Sequence, residues 1–143
     1  MLFLTCHGTA DAAVFVLAWM KNDGRATVAL KDTLTGAQSV CSYLADINPD
    51  EEIDFDDILP SEISRYCLIS GLSFSCGNLV PSALKGSPNI TLLGTISGNK
   101  QLSYIRNGFL YNFDQGAAPD CAINKLETYY DRTKLVDFIS NLP

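Results

Sequence analysis

The chain has almost no imidazole: His7 is the single histidine among 143 residues, and no two of the five cysteines (Cys6, Cys41, Cys67, Cys76, Cys121) form a CxxC pair. That scarcity argues against a paired-cysteine metal site, and an odd number of cysteines fits buried free thiols in a reducing cytosol. Basic residues are few as well, 10 Lys and Arg against 16 Asp and Glu, for a formal charge of −6. A protein that holds long nucleic acid by its phosphates needs clustered Lys and Arg, so only short or cyclic nucleotides remain as nucleic-acid partners. No window reaches the roughly 18 to 20 apolar residues of a membrane span. The N-terminus lacks a basic leader, and His7 and Asp11 interrupt its apolar run, which is not the pattern of an export signal. The expectation is a cytoplasmic protein with no membrane partner. With 47% hydrophobic and 18% charged residues, residues 1–143 can fill the core of one compact domain.

What is present is concentrated in residues 2–20, LFLTCHGTADAAVFVLAWM. The stretch predicts a short buried strand (2–5), a tight polar loop (6–11) and a helix that is apolar on nearly every face (12–20). A strand, a polar loop and a helix start in that order form a site for anions or metal-bound phosphate, because unpaired backbone N–H groups point into the loop. His7 lies in that loop, and Asp11 caps the helix or faces the same cleft. The plain alternative is a loop imidazole bonded to backbone beside an ordinary helix cap.

Further along, Asn22-Asp23-Gly24 should end the first helix, with Gly24 suited to a left-handed position. Residues 26–30, ATVAL, read as a strand covered on both faces, and 35–46 as an irregular helix. Residues 66–72 (YCLISGL) predict a central strand, 80–84 a helix and 89–93 (NITLL) another buried strand. A short helix over 100–106, a strand over 108–113, and helices over 119–130 and 133–142 complete the reading. Alternating strands and helices predict an α/β fold: a single Rossmann-like domain with a mostly parallel sheet flanked by helices.

Residues 50–57, DEEIDFDD, carry six carboxylates in eight positions. They lack the spaced ligands and turn glycine of a calcium loop, so a solvated surface is expected, with Ile53 and Phe55 pinning the run to the domain. Phe15, Trp19 and Tyr43 fall at core spacings, and Tyr129-Tyr130 read as an anchor for their helix. In parallel sheets ligands bind beyond the carboxyl ends of the strands. Three small polar loops, 6–11, 71–77 and 94–98, should therefore converge there.

In this order and spacing the chain resembles the N-terminal domain of the DHH phosphoesterase superfamily, two-manganese phosphodiesterases that include oligoribonucleases. Family members open with a strand, then His-x-Asp-x-Asp-Gly and an apolar helix. Here His7-Gly8-Thr9-Ala10-Asp11-Ala12 precedes AVFVLAWM. A second family motif, a hydrophobic strand ending in Asp, falls on ISGLSF with Gly71 at the Asp position. The Asp-His-His motif falls on Gly94-Thr95-Ile96 after NITLL, and a further aromatic-Asp stretch is loosely echoed by residues 111–114.

The resemblance implies a DHH-like pseudoenzyme. His7 and Asp11 remain, but Thr9, Gly71, Gly94, Thr95 and Ile96 stand at the other metal-ligand positions, and two ligands do not hold two metals. No cofactor is expected; weak manganese binding at His7 and Asp11 is the exception left open. The implied function is to bind a small nucleotide or nucleotide signal without hydrolysis, as in a virus-encoded sequestering or counter-defence protein. Its ligand-binding residues would be His7, Thr9, Asp11, Gly71, Ser73, Gly94, Thr95 and Ser97. One alternative is a protein–protein interaction or inhibitor module working through residues 50–57, and another is a residual metal-dependent phosphodiesterase. The apolar first helix leaves room for a homodimer.

Overall fold

The computed structural model describes residues 2–4, 10–21, 23–32, 34–73, 76–97, 103–106, 109–112 and 117–143. Four parallel strands make the central sheet. They are β1 (Leu2–Leu4), β4 (Arg65–Ile69), β5 (Ile90–Gly94) and the two-residue β8 (Cys121–Ala122), in the order β1-β4-β5-β8. Leu4 pairs with Ile69, Ile69 with Gly94, and Gly94 with Ala122. The chain therefore leaves all four strands at one edge of the sheet. Leu4, Ile69 and Gly94, the last residues of β1, β4 and β5, thus lie side by side.

Helices cover both faces, and the residue alternation of β4 and β5 decides which helix meets which. Cys67, Ile69, Ile90 and Leu92 face the layer formed by α1 (Ala10–Met20) and α2 (Cys76–Leu84), packing with Ala13, Leu17, Ala18, Val80 and Leu84. Leu68 and Leu93 face the other way, onto Ile123 and Leu135, with Tyr66, Tyr129 and Phe138 around them. Tyr129 lies on α3 (Leu126–Tyr130), and Leu135 and Phe138 on α4 (Arg132–Ser140). Burial on both faces is why YCLI and ITLL show no polar alternation. Each fully buried leucine here contributes roughly 1.5–3 kcal/mol of transfer free energy.

Two expected elements take a different form. The strand over 26–30 exists as β2 (Arg25–Lys31), but it pairs antiparallel with β3 (Gln38–Leu44) in a separate two-stranded sheet, where an irregular helix over 35–46 was expected. The intervening turn explains the outcome. Asp32 Oδ1 accepts from the N–H groups of Leu34 and Thr35 at 2.8 and 3.0 Å. Gly36 takes a φ of +72° and donates to the Asp32 carbonyl. Those bonds close a hairpin turn that outweighs the helical spacing of Val40, Tyr43 and Leu44. Likewise the expected helix over 100–106 is β6 (Ser103–Arg106), paired antiparallel with β7 (Phe109–Asn112). The Asn107-Gly108 dipeptide between them is a strong hairpin signal that the helical reading passed over.

The helix expected over 119–130 is confined to α3. Asp120 holds the preceding residues extended against β5: its N–H donates to the Leu92 carbonyl and its Oδ2 accepts from the Leu92 N–H, each at 2.8 Å. Lys85 pairs with the same carboxylate. Gly24 has a φ of +61°, the left-handed turn expected after the first helix. No described helix is long and apolar enough to cross a membrane, and the four described cysteines are free thiols.

Candidate functional site

At the edge where the parallel strands end, the chain forms a groove of about 700 Å³. Its floor is Leu68 and Ile123, and its walls are Ser70, Gly71 and Leu72 after β4, Thr95 after β5, Asn124 after β8, and Leu126, Tyr129 and Tyr130 from α3. Leu72, Leu126 and Tyr130 are 67%, 72% and 78% exposed. An apolar rim that solvent reaches so freely is a surface suited to a ligand.

Backbone geometry fixes the centre of the groove. The Ile69 carbonyl accepts from the Thr95 N–H and from the Tyr129 hydroxyl, both at 3.2 Å. Gly94 has a φ of +127°, and a Cβ there would overlap the Ile69 carbonyl oxygen and lie 2.6 Å from the Tyr129 hydroxyl. Only glycine satisfies that combination of dihedral and close approach. Gly71, by contrast, has open space where a Cβ would stand. The Asn124 carboxamide and the Thr95 hydroxyl have no hydrogen-bond partner among the described residues. Among the described residues the lining holds no carboxylate, imidazole, thiol or amine.

Of the residues expected to bind ligand, Gly71 and Thr95 line this groove and Gly94 lies against its base. Ser73 and Ser97 do not reach it. Ser73 is fully buried, with its hydroxyl accepting from the Ser70 N–H at 3.2 Å. Ser97 is equally buried; it donates to Asn78 Oδ1 at 2.6 Å and accepts from the Ala117 N–H at 2.9 Å. Both hydroxyls are committed to holding loops in place, because a buried polar group must be paired. Asp11 is exposed in the first turn of α1, which begins one residue before it. His7, Thr9 and Ser75 lie outside the described residues.

The groove residues that sequence reasoning missed include Asn124, Leu126, Tyr129 and Tyr130. A continuous helix over 119–130 hid them, and the tyrosine pair read as an anchor. Tyr129 does anchor, through Ile69, but Tyr130 projects to solvent. Lys125 and Lys134 line a separate hollow of about 610 Å³, where Lys134 pairs with Glu127 at 2.9 Å. Neither lysine lines the groove.

Cys67 faces the opposite layer. Burial pushes its thiol up to about 12, so it stays protonated at neutral pH and is no nucleophile. The acidic run also has a defined form. Asp57 is buried and accepts from the Ile47 N–H at 2.6 Å and the Asp54 N–H at 3.1 Å, while Asp54 caps a single 3-10 turn over Phe55–Asp57. A buried carboxylate, and not the apolar pair, pins the segment. Ile53 and Phe55 point outward, 55% and 89% exposed.

No family model and no curated protein matches the chain. Among solved structures it is similar to a putative S41 protease from Bacteroides fragilis, with 13% identity and a TM-score of 0.57, over 95% of this chain and 42% of that one. It is also similar to a lipoprotein from Streptococcus agalactiae, with 12% identity and a TM-score of 0.50, over 87% of this chain and 46% of the other. The chain spans less than half the length of both, and at such identities the likeness extends to the fold alone.

Proposed function

We propose that this chain binds a small nucleotide or another phosphate-bearing ligand without hydrolysing it, as a DHH-like pseudoenzyme on a Rossmann-like frame in the cytoplasm. One observation carries the reading. The groove beyond β4, β5 and β8 gathers Gly71 and Thr95 with polar groups and aromatic rings, and among the described residues its lining holds no group that could act as a general acid or base at neutral pH. The backbone at Gly94 adds support, since a carboxylate at the position of the family's Asp would collide with Ile69.

The test is a thermal-shift screen against mononucleotides, dinucleotides and cyclic nucleotides, with Thr95→Trp to fill the groove and Tyr130→Ala as an exposed, fold-neutral change. A ligand of the native state raises the melting temperature by mass action. The reading expects one nucleotide class to do so, both variants to lose the shift, and chromatography to return the nucleotide intact. Cleavage of the nucleotide, or a shift indifferent to both variants, would reject it.

A second reading, a protein-interaction module, rests on the outward Phe55 and Ile53 among the carboxylates of residues 50–57. An apolar tip inside a negative field fits a basic partner. Charge reversal at Asp54 and Asp56 should abolish function under this reading and leave it intact under the first.

A further inference from the structure

Resting on the binding reading above, we infer that the groove receives the ring of its ligand, a planar uncharged heteroaromatic such as a nucleobase, and that phosphate is held outside it. Among the described residues the lining supplies apolar floor and aromatic wall but no cation, and Lys125 and Lys134 line another hollow. A phosphate placed here would exchange water for leucine and tyrosine with no charged side chain among the described lining residues to balance it. A neutral ring meets the opposite conditions.

Three side chains define the fit. Tyr130, 78% exposed at the end of α3, offers a ring face on which a flat base can stack. The Asn124 carboxamide carries a donor and an acceptor side by side, the complement of a nucleobase edge, and no protein group among the described residues satisfies it. Thr95 offers a hydroxyl that both donates and accepts. Aliphatic ligands would leave those polar groups unpaired, so the groove favours a ring with hydrogen-bonding edges over a lipid chain.

Calorimetric titration tests this with adenosine, guanosine, cytidine and uridine, their 5′-monophosphates, ribose 5-phosphate and inorganic phosphate. At least one nucleoside should bind within about threefold of its monophosphate, while ribose 5-phosphate and phosphate give no heat. Tyr130→Ala and Asn124→Ala should each weaken that nucleoside about tenfold or more, and Tyr130→Phe should retain binding. Both positions are exposed, so far-UV circular dichroism should match the unaltered protein. If a monophosphate binds and its nucleoside does not, the ring assignment fails and the binding reading stands. If the nucleoside binds equally well to both alanine variants, the ring is not in this groove. If no nucleoside or nucleotide binds, both fall.

Discussion

Gly94 lies against the carbonyl oxygen of Ile69 so closely that no side chain fits between them, and the same oxygen accepts from Tyr129 and Thr95. One point of contact thus joins β4, β5 and α3, and two of its residues, Thr95 and Tyr129, line the groove.

Gly94→Ala should therefore lower stability by about 2–5 kcal/mol, combining backbone strain with an overlap that the sheet cannot relieve. Gly71→Asp should change stability by no more than about 0.5 kcal/mol, since nothing crowds that position. Urea unfolding of the two variants measures the contrast. Equal costs would mean that the close approach at Gly94 is not a feature of the folded protein.

Ser97 is buried and bonded to Asn78 and Ala117. Ser97→Ala removes the donor to Asn78 and the acceptor for the Ala117 N–H, which should cost about 1–3 kcal/mol. The affinity of any groove ligand, measured well below the melting temperature, should be unchanged. A loss of affinity with stability intact would return Ser97 to the binding site.

Acid should act through Asp57. Its carboxyl is held below the usual carboxylate range chiefly by the Ile47 N–H, with further bonds from Asp54 and Asn48, against the opposing effect of burial. A carboxyl depressed in the folded state stabilises above its unfolded value, near pH 4, and that stabilisation is lost as pH falls through the folded value. Asp57→Asn should be less stable than the unaltered protein at pH 7, and the difference should shrink as pH falls below about 4. Melting curves from pH 7 to 3 test this; a gap that does not narrow in acid would show that Asp57 is not ionised in the fold.

Cys67 should resist alkylation. With its thiol pushed up to about 12 and its side chain enclosed, the peptide carrying it should remain unmodified by iodoacetamide at pH 8 until denaturant is added. Rapid native labelling there would contradict the packing of β4.

The parallel core was legible because burial on both faces leaves a plain trace: short apolar runs without alternation at 66–69 and 90–93. The first helix and the turn at Gly24 were legible from local chemistry. The hairpins were not, since Val40, Tyr43 and Leu44 sit at helical spacing by coincidence and only the Asp32 and Gly36 turn decides for strand. Among the residues that line the groove, Gly71 and Thr95 lie where strand topology placed the loops. Asn124 and Tyr130 were hidden because Asp120 breaks the expected helix through tertiary bonds to Leu92, which no local pattern announces. The serines misled for a general reason, since a small hydroxyl in a loop looks alike whether it faces solvent or satisfies a buried amide.

The most direct measurement is amide chemical-shift mapping by NMR while nucleoside 5′-monophosphates are added to the protein. Binding in the groove should move the resonances of Ser70, Gly71, Leu72, Thr95, Asn124 and Tyr130 together, along one saturable curve, with the nucleotide signals unchanged over hours. Shifts confined to residues 50–57, or no saturable shift at the groove with any nucleotide, would contradict a nucleotide-binding cleft.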